Sequence, residues 1–272
     1  MILTYREAIR EGMSIRMRED PRVILFGEDT GAYGGSFGIT LGMYDEFGGD
    51  RVRDTPISES AIIGCAVGSA ATGMRPIAEL VFCDFLTVAM DQIANQAAKM
   101  RYMFGGKISL PMVVRMPAGA GQGGAAQHSQ SLEAWVTHVP GLKVVYPSTP
   151  QDALGLILSA IDDDNPVIYF ENKIIKEKAD ITNFDPIPLG KGNIVREGTD
   201  ISVITYGLQV YDAKKAADIL AKDGISLEII DLRTLYPLDK DMIRSSIAKT
   251  HHAIVITEET KRGGYGGEIS EP

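Results

Sequence analysis

Residues 4–29 read TYREAIREGMSIRMREDPRVILFGED, and this stretch decides the fold. Thr4 and Glu7 have the spacing of a helix capping box, which predicts a helix from Thr4 to about Asp20. The apolar run VILF at 23–26 then predicts a short buried strand that ends in a Gly-rich loop. A helix followed by such a strand indicates a layered α/β fold.

The same alternation continues along the chain, so we predict a parallel sheet flanked by helices. Further strands are predicted at Pro76–Phe82, Met112–Met116, Val144–Tyr146, Val167–Phe170, Ile201–Tyr206, Leu227–Asp231 and Ala253–Thr257. Further helices are predicted at Ser58–Thr72, Asp84–Met103, Ser129–Thr137, Pro150–Asp162, Gln209–Lys222 and Asp239–Lys249.

Two domains are predicted, at residues 1–172 and 199–272. The polar stretch 173–198 contains prolines and has little periodicity, so we interpret it as the linker. Only three strands can be assigned to the second domain, which is why we expect it to be incomplete.

The composition excludes several classes of protein. The 272 residues carry a formal net charge of -9 without a run of Lys or Arg, which argues against nucleic-acid binding. No apolar stretch is long enough to span a bilayer, and the N-terminus has no signal core. Cys65 and Cys83 form no C-x-x-C pair, so we expect two buried, reduced thiols in a cytoplasmic protein.

The segment Gly119–Gly124 fits the G-x-G-x-x-G pattern after a strand. A dinucleotide site also needs an acidic residue about twenty positions further on, and 143–147 reads KVVYP. We therefore interpret the segment as a flexible loop that allows close backbone approach.

Four side chains follow four predicted parallel strands, namely Glu28, Glu59, Phe85 and His128. Each also has an ordinary structural explanation: a turn residue, a carboxylate favoured by a helix dipole, a core aromatic and a loop histidine. Their shared position favours a site, because the carboxyl ends of parallel strands meet at one edge of a sheet. Ser129 beside His128 lacks a G-x-S-x-G elbow, so we do not predict a hydrolase.

These residues lie in segments that resemble the beta subunit of the decarboxylating component of 2-oxo acid dehydrogenase complexes. The resemblance covers essentially the whole chain. The most specific segments are Asp54-Thr-Pro-Ile-Ser-Glu59, Ala125-Ala-Gln-His128-Ser-Gln130, Pro140-Gly-Leu-Lys-Val-Val145 and Asp231-Leu-Arg-Thr-Leu235. It implies a pyrimidine-binding thiamine diphosphate fold followed by a transketolase C-terminal-like domain.

The resemblance also implies roles for the candidate residues. Glu59 would bond a ring nitrogen of the thiamine aminopyrimidine and so help to activate the cofactor. His128 would donate a proton and orient the substrate and the lipoyl acceptor. The implied cofactor-binding positions are Glu28, Ile57, Glu59, Val81 and Phe85.

A potassium site built largely from backbone carbonyls is implied as well. The matching positions are Met112, Ala160, Ile161, Asp163 and Asn165. Hard cations prefer oxygen ligands, but a solvated acidic turn that closes a helix explains 162–165 equally well.

The family binds the Mg²⁺ of the cofactor through a Gly-Asp-Gly motif, which occurs nowhere in this sequence. The resemblance therefore implies an alpha subunit that holds Mg²⁺ and the diphosphate in an α2β2 heterotetramer, acting with a lipoyl acyltransferase core. Two alternatives stay open: a piece of a one-chain transketolase-like enzyme, and an inactive truncated scaffold subunit.

The substrate is expected to be acetoin or a 2-oxo acid. Many pyruvate- and branched-chain-type members carry Arg near the end of the first Gly-rich loop, where this sequence has Gly38. An Arg would suit a carboxylate substrate, so its absence favours acetoin over pyruvate or branched-chain 2-oxo acids.

Overall fold

The computed structural model describes residues 1–271. The helices are α1 Tyr5–Glu19, α2 Met43–Phe47, α3 Glu59–Ala71, α4 Ala98–Met103, α5 Glu133–Thr137, α6 Pro150–Asp162, α7 Gln209–Leu220, α8 Lys240–Thr250 and α9 Gly266–Ser270. The strands are β1 Ile2–Thr4, β2 Val23–Gly27, β3 Val52–Asp54, β4 Arg75–Glu79, β5 Val113–Ala118, β6 Lys143–Val145, β7 Val167–Asn172, β8 Lys178–Asp180, β9 Asn193–Arg196, β10 Ile201–Thr205, β11 Leu227–Asp231, β12 Thr234–Tyr236 and β13 Ala253–Val255.

The predicted α/β fold with a parallel sheet is confirmed. The larger sheet has seven strands in the order β12-β6-β7-β5-β4-β2-β3. Its neighbours are parallel except for β12, which runs antiparallel to β6. All residues of β5 and β7 are buried, as expected for central strands with helices on both faces.

Helix α1 begins as the sequence predicts. The Thr4 side chain accepts from the backbone of Glu7, and the Glu7 side chain accepts from the backbone of Thr4. The helix packs closely on α6, because a Cβ at Gly12 would overlap the side chain of Ile157. This contact buries one face of the sheet beneath two crossed helices.

The predicted helix Asp84–Met103 is wrong in part, because the structure interrupts it at Val88 and Ala89 and gives its segments different helical geometries. Cys83–Thr87 is a 3₁₀ turn, Gln92–Ala97 has π-helical geometry, and only α4 is a regular α-helix. The first turn is diverted by Asp84, which is buried and accepts hydrogen bonds from Gln130. Local periodicity in the sequence cannot predict such a tertiary contact.

The stretch 173–198, which we predict to be a linker, includes regular structure that was not predicted. It contains β8, which pairs antiparallel with β1, and β9, which pairs antiparallel with β11. Strands of three or four residues carry too little alternation to be recognised. The second sheet therefore has four strands, in the order β13-β10-β11-β9, where three are predicted.

A continuous core joins the two sheets. Tyr146 lies 5.8 Å from Phe170 and 5.5 Å from Tyr206, measured between ring centroids. Arg233, which follows β11, reaches Asp152 at the start of α6 with a nitrogen–oxygen distance of 2.5 Å. Both halves thus contribute to the same buried surface.

Candidate active site

The carboxyl edge of the larger sheet brings the four candidate side chains to one side of the molecule. Glu28 follows β2, Glu59 opens α3 after β3, Phe85 follows β4, and His128 lies in the loop after β5. Gly27 of β2 pairs with the last residues of both β3 and β4, so these strands end at the same level. The arrangement matches the position expected of a ligand site in a parallel sheet.

Two carboxylates at this edge have unsatisfied oxygens. Glu59 is 7% exposed, and no hydrogen bond or ion pair to its carboxylate is found within residues 1–271. Glu28 is half-buried, and its Oε1 is buried without a partner in the same part of the chain. Burial raises the pKa of Glu28, and the nearby Glu59 carboxylate raises it further. Buried polar atoms are normally hydrogen-bonded, so the unpaired Oε1 of Glu28 indicates an external partner at this edge.

An aromatic cluster surrounds His128. The imidazole lies 4.4 Å from the Phe82 ring and 5.5 Å from the Phe85 ring, in edge-to-face geometry. Phe37, from the first Gly-rich loop, lies 5.5 Å from Phe82. Phe82 and Phe37 are not among the predicted site residues, although the i,i+3 spacing of Phe82 and Phe85 just after a strand was a usable signal.

Two of the predicted wall residues are less clearly placed. Val81 is half-buried at the end of β4, next to the aromatic cluster in sequence. Ile57 is 81% exposed, and no ring or core contact within residues 1–271 joins it to the cluster. An apolar side chain this exposed is available to a ligand or to another subunit.

The loop that carries His128 is glycine-rich and tightly tied. Gly119, Gly121 and Gly123 have positive φ angles, as expected for a loop that only glycine can form without strain. The predicted helix Ser129–Thr137 begins only at Glu133, because Gln130 is held in place. Its backbone carbonyl accepts from the Gly119 amide at 3.1 Å.

A buried ion cluster supports the floor of the site. Arg115 on β5 is fully buried and pairs with Glu79 on β4 and Glu171 on β7. Burial raises the pKa of Glu171 to about 7, while the Arg115 charge opposes that rise. Gly35 of the first Gly-rich loop lies against the Glu79 carboxylate, so the cluster also braces that loop. No sequence signal identified this cluster.

Three of the positions proposed for potassium, Ile161, Asp163 and Asn165, already contact cationic side chains of the chain itself. The Arg75 guanidinium donates to the carbonyls of Ile161 at 2.8 Å and of Asp163 at 3.3 Å. The Asp163 carboxylate pairs with Lys143, and the Asn165 side-chain oxygen accepts from Arg101 at 2.6 Å. These oxygens are already engaged by cationic side chains of the chain itself, and a potassium site at these positions stays a prediction.

Cys83 is buried, as predicted, but Cys65 is exposed, so the prediction of two buried thiols is wrong for Cys65. Its position on the outer face of α3 leaves it at the surface. No cluster of three or more His, Cys, Asp or Glu side chains suited to a metal ion is present within residues 1–271. None of the helices in that range is both long and apolar enough to cross a bilayer.

Comparison with known families defines the class first. Residues 2–176 match the transketolase pyrimidine-binding domain, and residues 190–272 match the transketolase C-terminal domain. A solved split-gene transketolase, described as an inactive beta4 tetramer, superimposes with a TM-score of 0.81 at 20% identity, over 99% of this chain and 83% of that one. At that identity the likeness speaks for the fold alone.

Sequence relatives then narrow the class. The 2-oxoisovalerate dehydrogenase subunit beta of Bacillus subtilis is 48% identical over 99% of this chain and 83% of its own length. The acetoin:2,6-dichlorophenolindophenol oxidoreductase subunit beta of Cupriavidus necator is 50% identical over 98% of this chain and 82% of its own. The pyruvate dehydrogenase E1 component subunit beta of Bacillus subtilis is 44% identical over 98% and 83%. The chain belongs to this family of 2-oxo acid and acetoin dehydrogenase beta subunits.

Proposed function

We propose that this chain is the beta subunit of a thiamine diphosphate-dependent dehydrogenase component that works only with an alpha subunit. The observation that carries the proposal is the pair of neighbouring carboxylates, Glu59 and Glu28. Glu59 makes no hydrogen bond or ion pair within residues 1–271, and Glu28 has one buried oxygen, Oε1, without a partner there. They lie at the sheet edge that also carries the Phe82, Phe85 and His128 ring cluster. A ligand with a nitrogen-rich aromatic ring would satisfy both features at once.

The residues present suit the pyrimidine half of thiamine diphosphate. Glu59 would accept or share a proton with a ring nitrogen, Phe85 would pack on the ring, and Glu28 would lie beside Glu59. When bound, this cofactor supplies the electron sink for carbon–carbon bond cleavage. His128, flanked by Phe82 and Phe85, would hold a proton near the reacting carbonyl and orient the acyl acceptor.

The other half of the cofactor would come from the alpha subunit. The sequence has no Gly-Asp-Gly motif for the Mg²⁺ that bridges the diphosphate. We therefore propose an α2β2 heterotetramer in which the alpha subunit holds Mg²⁺ and the diphosphate, with a lipoyl group of an acyltransferase core as the acceptor. The exposed Ile57 side chain would be covered in that assembly.

Acetoin is the substrate that the site favours. Within residues 1–271, Arg6 lies over the Phe37 ring and Lys173 over the Phe82 ring, and both donate to backbone carbonyls. At Gly38, where a carboxylate-binding Arg would suit a 2-oxo acid, there is no side chain. A neutral substrate requires no unengaged cation, and acetoin is neutral.

The decisive experiment uses the chain co-expressed with a candidate alpha subunit. Carbon–carbon cleavage of acetoin, pyruvate and 2-oxoisovalerate would be measured in parallel, with a lipoyl acceptor present. We expect acetoin to give the largest kcat/KM. A larger kcat/KM for either 2-oxo acid would contradict the substrate assignment but not the cofactor assignment.

The Glu59→Gln variant tests the carboxylate itself. We expect it to keep the fold and lose about 100-fold or more in turnover, because an amide cannot share the proton in the same way. Glu46→Gln, which removes an exposed carboxylate on α2, is the matched control and should retain parental turnover. Equal rates for Glu59→Gln and the parent would overturn the proposed role of Glu59.

The same measurements separate the alternatives. An assembled pair without turnover on any substrate would favour an inactive scaffold subunit. A homodimer of this chain that binds the cofactor and works alone would favour a transketolase-like enzyme, and sedimentation with and without the alpha chain detects it.

A further inference from the structure

Lys173 is a buried lysine that contacts the backbone of the candidate catalytic histidine, His128. It follows β7 and is 2% exposed. Its Nζ donates to the backbone carbonyl of His128 and lies 5.3 Å from the centroid of the Phe82 ring. The Phe82 ring is the one that lies 4.4 Å from the His128 imidazole. One ammonium group therefore contacts both the backbone of His128 and the ring that packs against its side chain.

A lysine in this place is costly without a specific purpose. Burial lowers its pKa, and the nearby Cys83, Asp84 and Glu258 side chains only partly offset that effect. It makes no ion pair within residues 1–271, and its ammonium hydrogen bond goes to a single backbone carbonyl. An apolar side chain would fill the same space at lower cost, so packing alone does not explain the residue.

Asp84 holds the same loop from the opposite side. Its Oδ1 accepts from the Gln130 side chain at 2.9 Å and from the Gln130 backbone amide at 3.3 Å. The neighbouring Cys83 thiol donates to the Gln130 carbonyl at 3.2 Å. Asp84 directly precedes Phe85, the second ring that contacts His128.

The two anchors come from strands on either side of β5. Asp84 follows β4, Lys173 follows β7, and the His128 loop leaves β5 between them. The loop is thus fixed at His128 and at Gln130 by buried groups of opposite charge. Its glycine-rich first half, by contrast, is exposed.

We propose that Lys173 is a positioning residue for His128, acting with Asp84 to hold the loop so that the imidazole stands against Phe82 and Phe85. The contacts that hold the loop do not depend on the proposed function, whereas their effect on catalysis rests on it. Loss of the Lys173 hydrogen bond would release the His128 carbonyl and let the imidazole leave the ring cluster.

The first test needs no activity and uses the chain alone. Amide hydrogen exchange would be compared between the parent, Lys173→Met and Lys176→Met. Lys176 is exposed and lies three residues away, so it controls for the loss of one charge. We expect Lys173→Met to speed exchange across 119–131 by about 10-fold, with β5 and β7 unchanged. Parental exchange in that loop would overturn the proposal.

The second test uses the assembled enzyme with the alpha subunit. We expect Lys173→Met to lower turnover with a lipoyl acceptor by about 10- to 100-fold while leaving the KM for thiamine diphosphate within about twofold. A purely structural lysine would change both quantities together. Lys173→Gln, which keeps a hydrogen-bond donor, should recover part of the turnover, and a Gln variant no better than Met would contradict the hydrogen bond.

The outcomes separate the two proposals. If the parent enzyme has no turnover but the loop exchanges faster in Lys173→Met, the proposed function is overturned. The proposal that Lys173 holds the His128 loop is then retained. If Lys173→Met does not fold, Lys173→Gln carries both measurements.

Discussion

Glu133 is a buried carboxyl group that should contribute to how stability depends on pH. It is 1% exposed, and its Oε2 has no partner within residues 1–271. Burial, with smaller contributions from Glu259 and Glu258, raises its pKa from 4.5 to about 8. The folded state therefore keeps a proton that the unfolded chain releases between these two values. Stability should accordingly fall as the pH rises through that window.

Glu133→Gln removes this titration and keeps a similar side chain. We expect the variant to melt about 5 °C higher than the parent near pH 8.5 and at the same temperature near pH 4.5. Thermal denaturation from pH 4.5 to 9 checks this, with Glu271→Gln as the exposed control. Identical pH slopes for Glu133→Gln and the parent would contradict the assignment.

His128→Ala should slow acyl transfer more than cofactor binding, since the proposed role of the imidazole, which lies against Phe82 and Phe85, is toward the acyl acceptor. We expect at least about a 10-fold loss of turnover with a lipoyl acceptor, and a dissociation constant for thiamine diphosphate within about twofold. Rapid kinetics and calorimetry measure the two quantities. Unchanged turnover with the lipoyl acceptor would refute the role.

Among individual residues, those that follow predicted strands could be identified from the sequence. Glu59 and His128 could be found because short-range patterns place them after strands, and because their segments resemble a known family. Lys173 and Arg115 could not be found, since their meaning depends on partners 45 and 56 positions away. Ile57 was predicted to line the cofactor site, yet its side chain is exposed. Exposure depends on packing against residues distant in sequence, which no local pattern specifies.

The crossing of α1 and α6 depends on one glycine. A Cβ at Gly12 would overlap Ile157, whereas a Cβ at Gly68 in α3 meets nothing within 4 Å. We expect Gly12→Ala to lower the free energy of unfolding by about 1–3 kcal/mol through overpacking. Gly68→Ala should raise it by about 0.5–1 kcal/mol through helix propensity. Urea unfolding distinguishes them, and a neutral Gly12→Ala would mean that the helices can separate without loss.

Regular elements were predicted well where their signals are local. Helix α6 runs from Pro150 to Asp162 as predicted, because Thr149 caps it and Pro150 occupies its first turn. Strand β11 also has its predicted bounds, because a short segment rich in Leu and Ile between two helical patterns indicates a buried strand. The segment 83–103 was mispredicted because buried contacts of Asp84 override helix propensity there. Short strands such as β8 and β12 exist only through their partners.

At the scale of the whole molecule, Arg233 joins the two sheets. Its guanidinium pairs with the 2%-exposed Asp152, and its backbone carbonyl accepts from Tyr146 at 2.8 Å. We expect the protein to unfold in one calorimetric transition, because the core is continuous. Arg233→Met should lower the free energy of unfolding by about 3–5 kcal/mol by leaving Asp152 buried and unpaired.

Lys215→Met is the control for that change, because it removes a surface pair with Asp212 and should alter stability by about 0.5 kcal/mol or less. Two separate transitions in the parent would contradict a shared core. An Arg233→Met variant as stable as Lys215→Met would mean that the pair contributes nothing.

Strand β12 has a consequence for how this chain can be divided. It lies in the second half of the sequence, yet it is the strand that covers β6 at the border of the larger sheet. A truncated chain that ends before residue 199 would leave the backbone amides and carbonyls along the outer edge of β6 unpaired. Exposed edge strands of this kind tend to pair with strands of other molecules. The first half is therefore not an independent module. We expect a truncated chain without β12 to self-associate unless another strand covers β6.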